Sequence, residues 1–316
     1  MSFLKQSKRA VGLLGGVVWL AQADLVAASP VAFTLDSTNS VIVLSGKVNV
    51  SSIGAVSLIE QSAGSLTTHY GGSLLLDLTP PTIQFIGGSD IVAQTNGSWQ
   101  PLAGGAAGNA PADYGGKLTY STFLGNLTAW AAVRNIRLDI SSLALTLTNS
   151  GFDASRLNVF FLTNTPPAPV LDYQVIGTGL FAGQSSSGAS PLSRGLTNSQ
   201  ALAYLTNTAG RLKLVIPVNA TNTTSLSGNA TTMVLKGQLV ATAPASAWPL
   251  VVNIGVAAGQ VTLSWSSVTG QVFTVLGSSD LHHWTTNSGA TAVNSNTTTW
   301  TASQSGNTRF YRVRLQ

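Results

Sequence analysis

The sequence predicts an all-β protein: a large antiparallel sandwich or barrel followed by a small immunoglobulin- or fibronectin-III-like sandwich. Three observations carry this. Apolar and polar residues alternate with period two from one end to the other, as in strands with one buried face. Only 8% of the 316 residues are charged while 44% are apolar, which leaves few of the Glu, Lys and Arg that surface helices draw on. Thr, Val and Ser with 32 glycines supply strands and turns instead.

The chain opens on Lys5, Lys8 and Arg9, an apolar run from Ala10 to Leu20, and Ala-Gln-Ala at 21–23. A basic start, a short apolar core and an A-x-A site predict a secretory signal peptide over 1–23, with a second small-residue site ending at Ala28. The apolar run is short of the roughly 20 residues a bilayer span requires, so no stable transmembrane segment is expected after cleavage. Cleavage leaves twelve basic and ten acidic residues, dispersed along the chain, which removes the basis for a nucleic-acid reading. There is no cysteine, so no disulfide supports the exported protein.

The first domain spans 31–243. VIVLSG (41–46), GSLLLDL (72–78) and TIQFI (82–86) read as strands. NIRLDISSLALTLT (135–148) aligns Ile136, Leu138 and Ile140, then slips at Ser141-Ser142 before Leu143, Leu145 and Leu147. Such a slip predicts a bulge or tight corner. RLKLVIPVNA (211–220) and TMVLKGQLVATA (232–243) each set four apolar residues against polar ones. One short helix is expected at SQALAYLTN (199–207). ATAPASAWPL, with Pro244 and Pro249, places a linker at 244–249, and QVTLSW (260–265) opens the strands of a small module over 250–316.

The C-terminal residues resemble the fibronectin-III-like module that closes many exported proteins of the planctomycete and verrucomicrobial kind. The resemblance rests on GQVTLSW (259–265), VFTVLGSSDLHHWT (272–285) and RFYRVRL (309–315), and it implies Trp265, Leu281, Trp284, Phe310 and Tyr311 as anchors. FTLDSTNSVIVLSG (33–46), GSLTTHYGGSLLLDL (64–78), TIQFIGGSDI (82–91), APADYG (110–115) and AVRNIRLDI (132–140) are similar to uncharacterised PEP-CTERM-associated exported proteins, here without the sorting tail. That family implies no activity. The opening strand also resembles YceI-like lipocalin barrels, which hold a polyisoprenoid.

No catalytic constellation emerges. His282 and His283 are adjacent, with only Asp280 as an acidic neighbour, and read as turn residues. GTGLFA (177–182) matches a dinucleotide fingerprint, but GQSSSGASPLSRG after it cannot form the required helix, and no Asp or Glu occurs between Asp172 and Asp280. Asp77, Asp90, Asp113, Asp139, Asp153 and Asp172 are scattered, and Asp139 alternates outward. His69 sits on a polar strand face. Neither a metal nor a cofactor is expected, and the protein reads as no enzyme.

The long Gly/Ala segment at 96–116 is the candidate binding element. Trp99, Asp113 and Tyr114 flank it, with Tyr120, Phe123 and Trp130 close behind, and aromatics beside a polar group suit a sugar ring or a pocket rim. Trp99, Asp113, Tyr114 and Trp130 are the expected ligand contacts. The function expected is that of a non-catalytic structural or adhesion protein at the cell surface or outside it. Its partners would be surface glycan or envelope components, met through a C-terminal attachment or spacer module. The alternatives are a periplasmic lipocalin-like carrier of an apolar ligand and a glycan-binding protein. Inward Leu, Ile and Val favour a filled barrel over a hollow one. A membrane-spanning barrel would need longer strands and aromatic girdles.

Overall fold

A computed structural model describes residues 30–50, 54–199, 202–226, 229–287, 291–292, 296–303 and 310–316. The expected signal peptide lies outside the described residues. Among those described, the fold is nearly all strand, and the large domain is built on a barrel-like sheet.

Eight antiparallel runs make that sheet among the described residues, each paired with the next in the chain. In order they are Val31–Leu35 with Val41–Val50, Thr67–Thr79, Thr82–Phe85 with Asp90–Ala93, and Arg137–Ser141 with Leu145–Thr146. Gly151–Asp153 with Asn158–Phe161, Gly195–Asn198 with Leu202–Thr208, Arg211–Leu226 and Asn229–Pro244 complete the set. The last run returns to the first through Thr34↔Thr242 and the register Val41↔Gln238 to Val48↔Thr231, which closes the circuit. The sequence had left sandwich and barrel open; the pairing of first and last runs makes it barrel-like.

Alternation turns Phe33, Ile42, Leu74, Leu76, Phe85, Leu138, Phe161, Leu214, Leu235 and their neighbours into one continuous buried cluster. Burying each such side chain stabilises the fold by about 1.5–3 kcal/mol. Lys47, Asp77, Lys213 and Lys236 alternate with them on the outside, the reverse of a barrel with a polar lumen and a lipid-facing wall.

Five of the runs are interrupted by a short outpocketing, and polar side chains take over ladder bonds lost at several of these breaks. Ser40 is buried, and its hydroxyl donates to the Val240 carbonyl (3.0 Å) and accepts from the Val240 amide (2.9 Å). The slip read at Ser141-Ser142 is the second such joint: the Phe85 amide donates to Ser142 Oγ (3.1 Å), and the Ser142 amide donates to the Phe85 carbonyl (2.8 Å). Asp139 does alternate away from the barrel core, yet it is buried, because Gly88 (3.1 Å) and Ser89 (2.8 Å) fold over it and donate their amides to its carboxylate.

The helix expected over 199–207 does not form. Leu202–Thr208 is a strand in which Ala203 and Leu205 are buried and Leu202 and Tyr204 exposed, since pairing with Arg211–Val215 imposes period two on an Ala- and Leu-rich segment. Residues 200–201 lie outside the described residues.

Chain between the runs builds a second, five-stranded sheet in the order Ser186–Pro191, Val170–Gly177, Gly125–Arg134, Tyr114–Thr122, Ile59–Glu60. One face of this side sheet, including Tyr114, Ala131, Val133 and Leu171, joins the barrel's buried cluster. The C-terminal strands form two small sheets around Leu263, Trp265, Phe273, Val275 and Val313. Segment 244–249 is packed rather than open: Ala245–Ala247 is a 3-10 turn and Trp248 is buried. Val268 of the small sandwich enters the large cluster, and the Asn207 amide donates to the Thr269 carbonyl (2.7 Å).

Candidate functional site

Where the side sheet leaves the barrel, its inner face and the end of the first run diverge and bound a cleft of about 540 Å³. Register fixes which residues share that face. Leu118 pairs with Ala129 and Tyr120 with Leu127, while Val175 and Tyr173 pair with Ala129 and Ala131 from the other side. Val48 and Val50 of the barrel wall lie opposite, with Val56 of the edge strand Gly54–Ser57 paired beside them. Gly183, Gln184, Ser185, Ser186 and Asn229 supply the uncharged polar part of the rim. Inward, the cleft narrows to a cavity of about 30 Å³ among Leu44, Leu58, Tyr114, Val133 and Met233.

The lining of the cleft itself contains no Asp, Glu, His, Lys or Arg among the described residues, and Lys47 borders the inner cavity. A cleft of this kind can desolvate an apolar body and hydrogen-bond a neutral head. Among the described lining residues the ionisable side chains are the phenols of Tyr120 and Tyr173.

The four expected contacts divide. Trp130 borders the cleft, although alternation sets it on the opposite face from Leu127, Ala129 and Ala131. Tyr114 is fully buried; its hydroxyl meets that of Tyr70 at 3.0 Å and donates to the Ile42 carbonyl at 3.2 Å. Asp113, 4% exposed, accepts from the Ile136 amide at 2.8 Å, and burial pushes its carboxyl up to about 6. Neither presents surface to a ligand. Trp99 lies on the outer face of the side sheet against Gly115, where a Cβ would come within 2.2 Å of the indole Cγ.

The long segment around Trp99 is a cover. Gly97–Trp99 pairs with Ala110–Ala112 and closes over the face opposite the cleft. Arg134 fastens it: Nη1 pairs with the Asp172 carboxylate, Nε donates to the Pro111 carbonyl (3.0 Å) and Nη2 to the Pro101 carbonyl (2.5 Å). Asp172 also accepts from the Gly104 amide at 2.7 Å. Gln61 adds a reciprocal pair with the Gln100 backbone at 2.6 and 3.0 Å.

The histidine pair occupies a turn organised by Asp280. Its carboxylate accepts from the His282 amide (2.9 Å), the His283 amide (2.8 Å) and His283 Nδ1 (2.7 Å). Those bonds hold the Asp280 carboxyl well below its usual range and raise the His283 imidazole. Leu281 is 54% exposed with φ of 67°, so it is a turn residue and not an anchor; Trp265 is buried edge-on against Phe273 at 5.6 Å. His69 is exposed and bonds through Nδ1 to the Ser37 carbonyl at 2.8 Å. Gly179, in GTGLFA, takes φ of 57° at the start of a 3-10 turn. Among the described residues, no three or more His, Cys, Asp or Glu gather as metal ligands, and no helix is long and apolar enough to cross a membrane.

The cleft was not legible in the sequence. Its walls come from the first run, three insertions and the start of the last run, segments nearly 200 positions apart at the extremes. The signal present was a run of uncharged residues from Leu118 to Val133 whose alternation keeps Leu127, Ala129 and Ala131 on one face. No family model, curated protein or solved structure matches the chain.

Proposed function

We propose that the protein is an exported, non-catalytic binding protein that seats a neutral amphipathic ligand in the cleft between barrel and side sheet. The observation that carries the reading is a cleft of about 540 Å³ walled by Val, Leu, Ala and Tyr, with amide and hydroxyl groups at its rim and no carboxylate, imidazole, amine or guanidinium among its described lining residues. That lining favours a ligand with an apolar body and a small uncharged polar end. The basic-apolar-AQA start of the chain supports export, and a place in the cell envelope or outside it is part of the proposal. The carrier alternative is thereby moved from the barrel interior, which Leu, Ile and Phe fill, to a lateral seat. The small sandwich, joined through Val268 and Thr269, serves as a fixed spacer or attachment module.

Titration with the neutral apolar fluorophore N-phenyl-1-naphthylamine tests the reading. One saturable site is expected, abolished by Ala129→Trp in a variant that melts like wild type. Absence of saturable binding, or binding untouched by Ala129→Trp, contradicts it.

A further inference from the structure

We propose that two joined turns beside the cleft mouth form a wedge that docks into a zwitterionic phospholipid surface. The turns are 122–125, between the strands Tyr114–Thr122 and Gly125–Arg134, and 178–184, which follows Val170–Gly177. They carry the chain's most exposed large apolar side chains among the described residues at this end. Phe123 is 96% exposed, Leu180 71% and Leu124 48%. Leaving three such side chains in water side by side has no structural benefit, and grouped exposure of this kind marks an interaction surface.

The backbone of the wedge is prepared for a dry environment. Hydrocarbon offers no partner for a peptide group, so a segment that enters a membrane must satisfy its own. Here the two turns bond to each other at several backbone groups. The Leu180 amide donates to the Leu124 carbonyl (3.1 Å), the Thr178 amide to the Asn126 carbonyl (2.8 Å), and the Asn126 amide to Thr178 Oγ1 (3.1 Å). The Leu124 amide donates to Thr122 Oγ1 (3.2 Å), which donates in turn to the Gly125 carbonyl (3.1 Å). The contact is close enough to require glycine: a Cβ on Gly125 would lie 2.2 Å from the Thr178 carbonyl oxygen, and one on Gly179 2.1 Å from that of Leu124. Beneath the tip Tyr120 and Phe181 pack edge to face at 5.8 Å, so the wedge has a stiff base.

Charge selects the partner. No Asp, Glu, His, Lys or Arg occurs between Lys117 and Arg134, nor between Asp172 and Arg194. An anionic membrane or a nucleic acid would be met by Lys and Arg. An uncharged apolar tip whose two turns hydrogen-bond to each other matches the interface of a zwitterionic bilayer. Tyr120 and the 183–185 segment belong to both wedge base and cleft rim, so docking would set the cleft mouth at the lipid surface. The wedge stands on its own observations and holds whether or not the cleft takes a ligand.

Vesicle flotation of the purified protein tests it, using phosphatidylcholine vesicles with and without phosphatidylglycerol, at low and high salt. Flotation with pure phosphatidylcholine, insensitive to salt, is expected. A Phe123→Ser/Leu180→Ser variant should bind on the order of tenfold less, since apolar burial supplies the affinity. Both substitutions are at exposed positions, and matched melting curves establish that the variant is folded. In a Phe123→Trp variant, emission should shift to the blue and be quenched by brominated phosphatidylcholine. Four results would overturn the proposal: no flotation, equal flotation of the double variant, binding confined to anionic vesicles and lost in salt, or a dimer that the double variant dissolves.

Discussion

The Tyr70 and Tyr114 hydroxyls meet at 3.0 Å in the seam between barrel and side sheet, and Tyr114 donates onward to the Ile42 carbonyl at 3.2 Å. Tyr114→Phe leaves the Ile42 carbonyl without this donor and Tyr70 without its partner. It should lower unfolding free energy by about 1–3 kcal/mol in urea titrations. Burial raises both phenols above their ordinary range, so the stability gained by keeping them neutral is present below about pH 10 and lost as pH rises further. Absorbance titration near 295 nm should find two tyrosines that ionise only as the protein unfolds.

Asp113 gives a pH dependence of the same sign in a lower range. Its folded value of about 6 lies above the ordinary 3.8, so its contribution is fully present below pH 4 and is lost as pH rises through 6. The shift corresponds to on the order of 3 kcal/mol. Asp113→Asn keeps an acceptor for the Ile136 amide and cannot ionise. The wild type should therefore lose melting temperature relative to Asp113→Asn between pH 4 and 7, with the two curves converging in acid.

The buried Arg134–Asp172 pair holds the cover on the side sheet. Asp172→Ala leaves a buried guanidinium uncompensated and the Gly104 amide without its acceptor. A loss of about 3–5 kcal/mol is expected. Limited proteolysis should cut between Trp99 and Ala110 in this variant well before it cuts wild type.

At the other end of the chain, Asp280→Asn should return the His283 ring resonance to an ordinary histidine titration by proton NMR, while wild-type His283 titrates higher. Both residues are exposed, so the expected change is local.

Sequence pattern reached the strands and stopped at their partners. Alternation in RLKLVIPVNA put Leu212, Leu214, Ile216 and Val218 on one face, and all four are buried. The Ser141-Ser142 slip marked a real joint. Ser40 marked another, unread because its signal is a bond to Val240, 200 positions away. Long-range pairing also explains the failed helix at 199–207, where composition favoured one period and the neighbouring strand imposed the other. Aromatics beside a Gly-rich segment resembled an exposed lip. Trp99 and Tyr114 instead cover backbone and core, and glycines such as Gly115 are there to admit the indole. The cleft residues carried no chemical mark, since Leu118, Ala129 and Val175 become a site only when three strands and a barrel wall bring them together.

Native mass spectrometry of the protein purified from its own host's envelope or medium tests the central claim most directly. The account predicts one stoichiometric adduct of a neutral, partly apolar molecule on the wild type, absent from the Ala129→Trp variant prepared in the same way. A bare mass for both proteins, or an adduct that survives filling of the cleft, would contradict it.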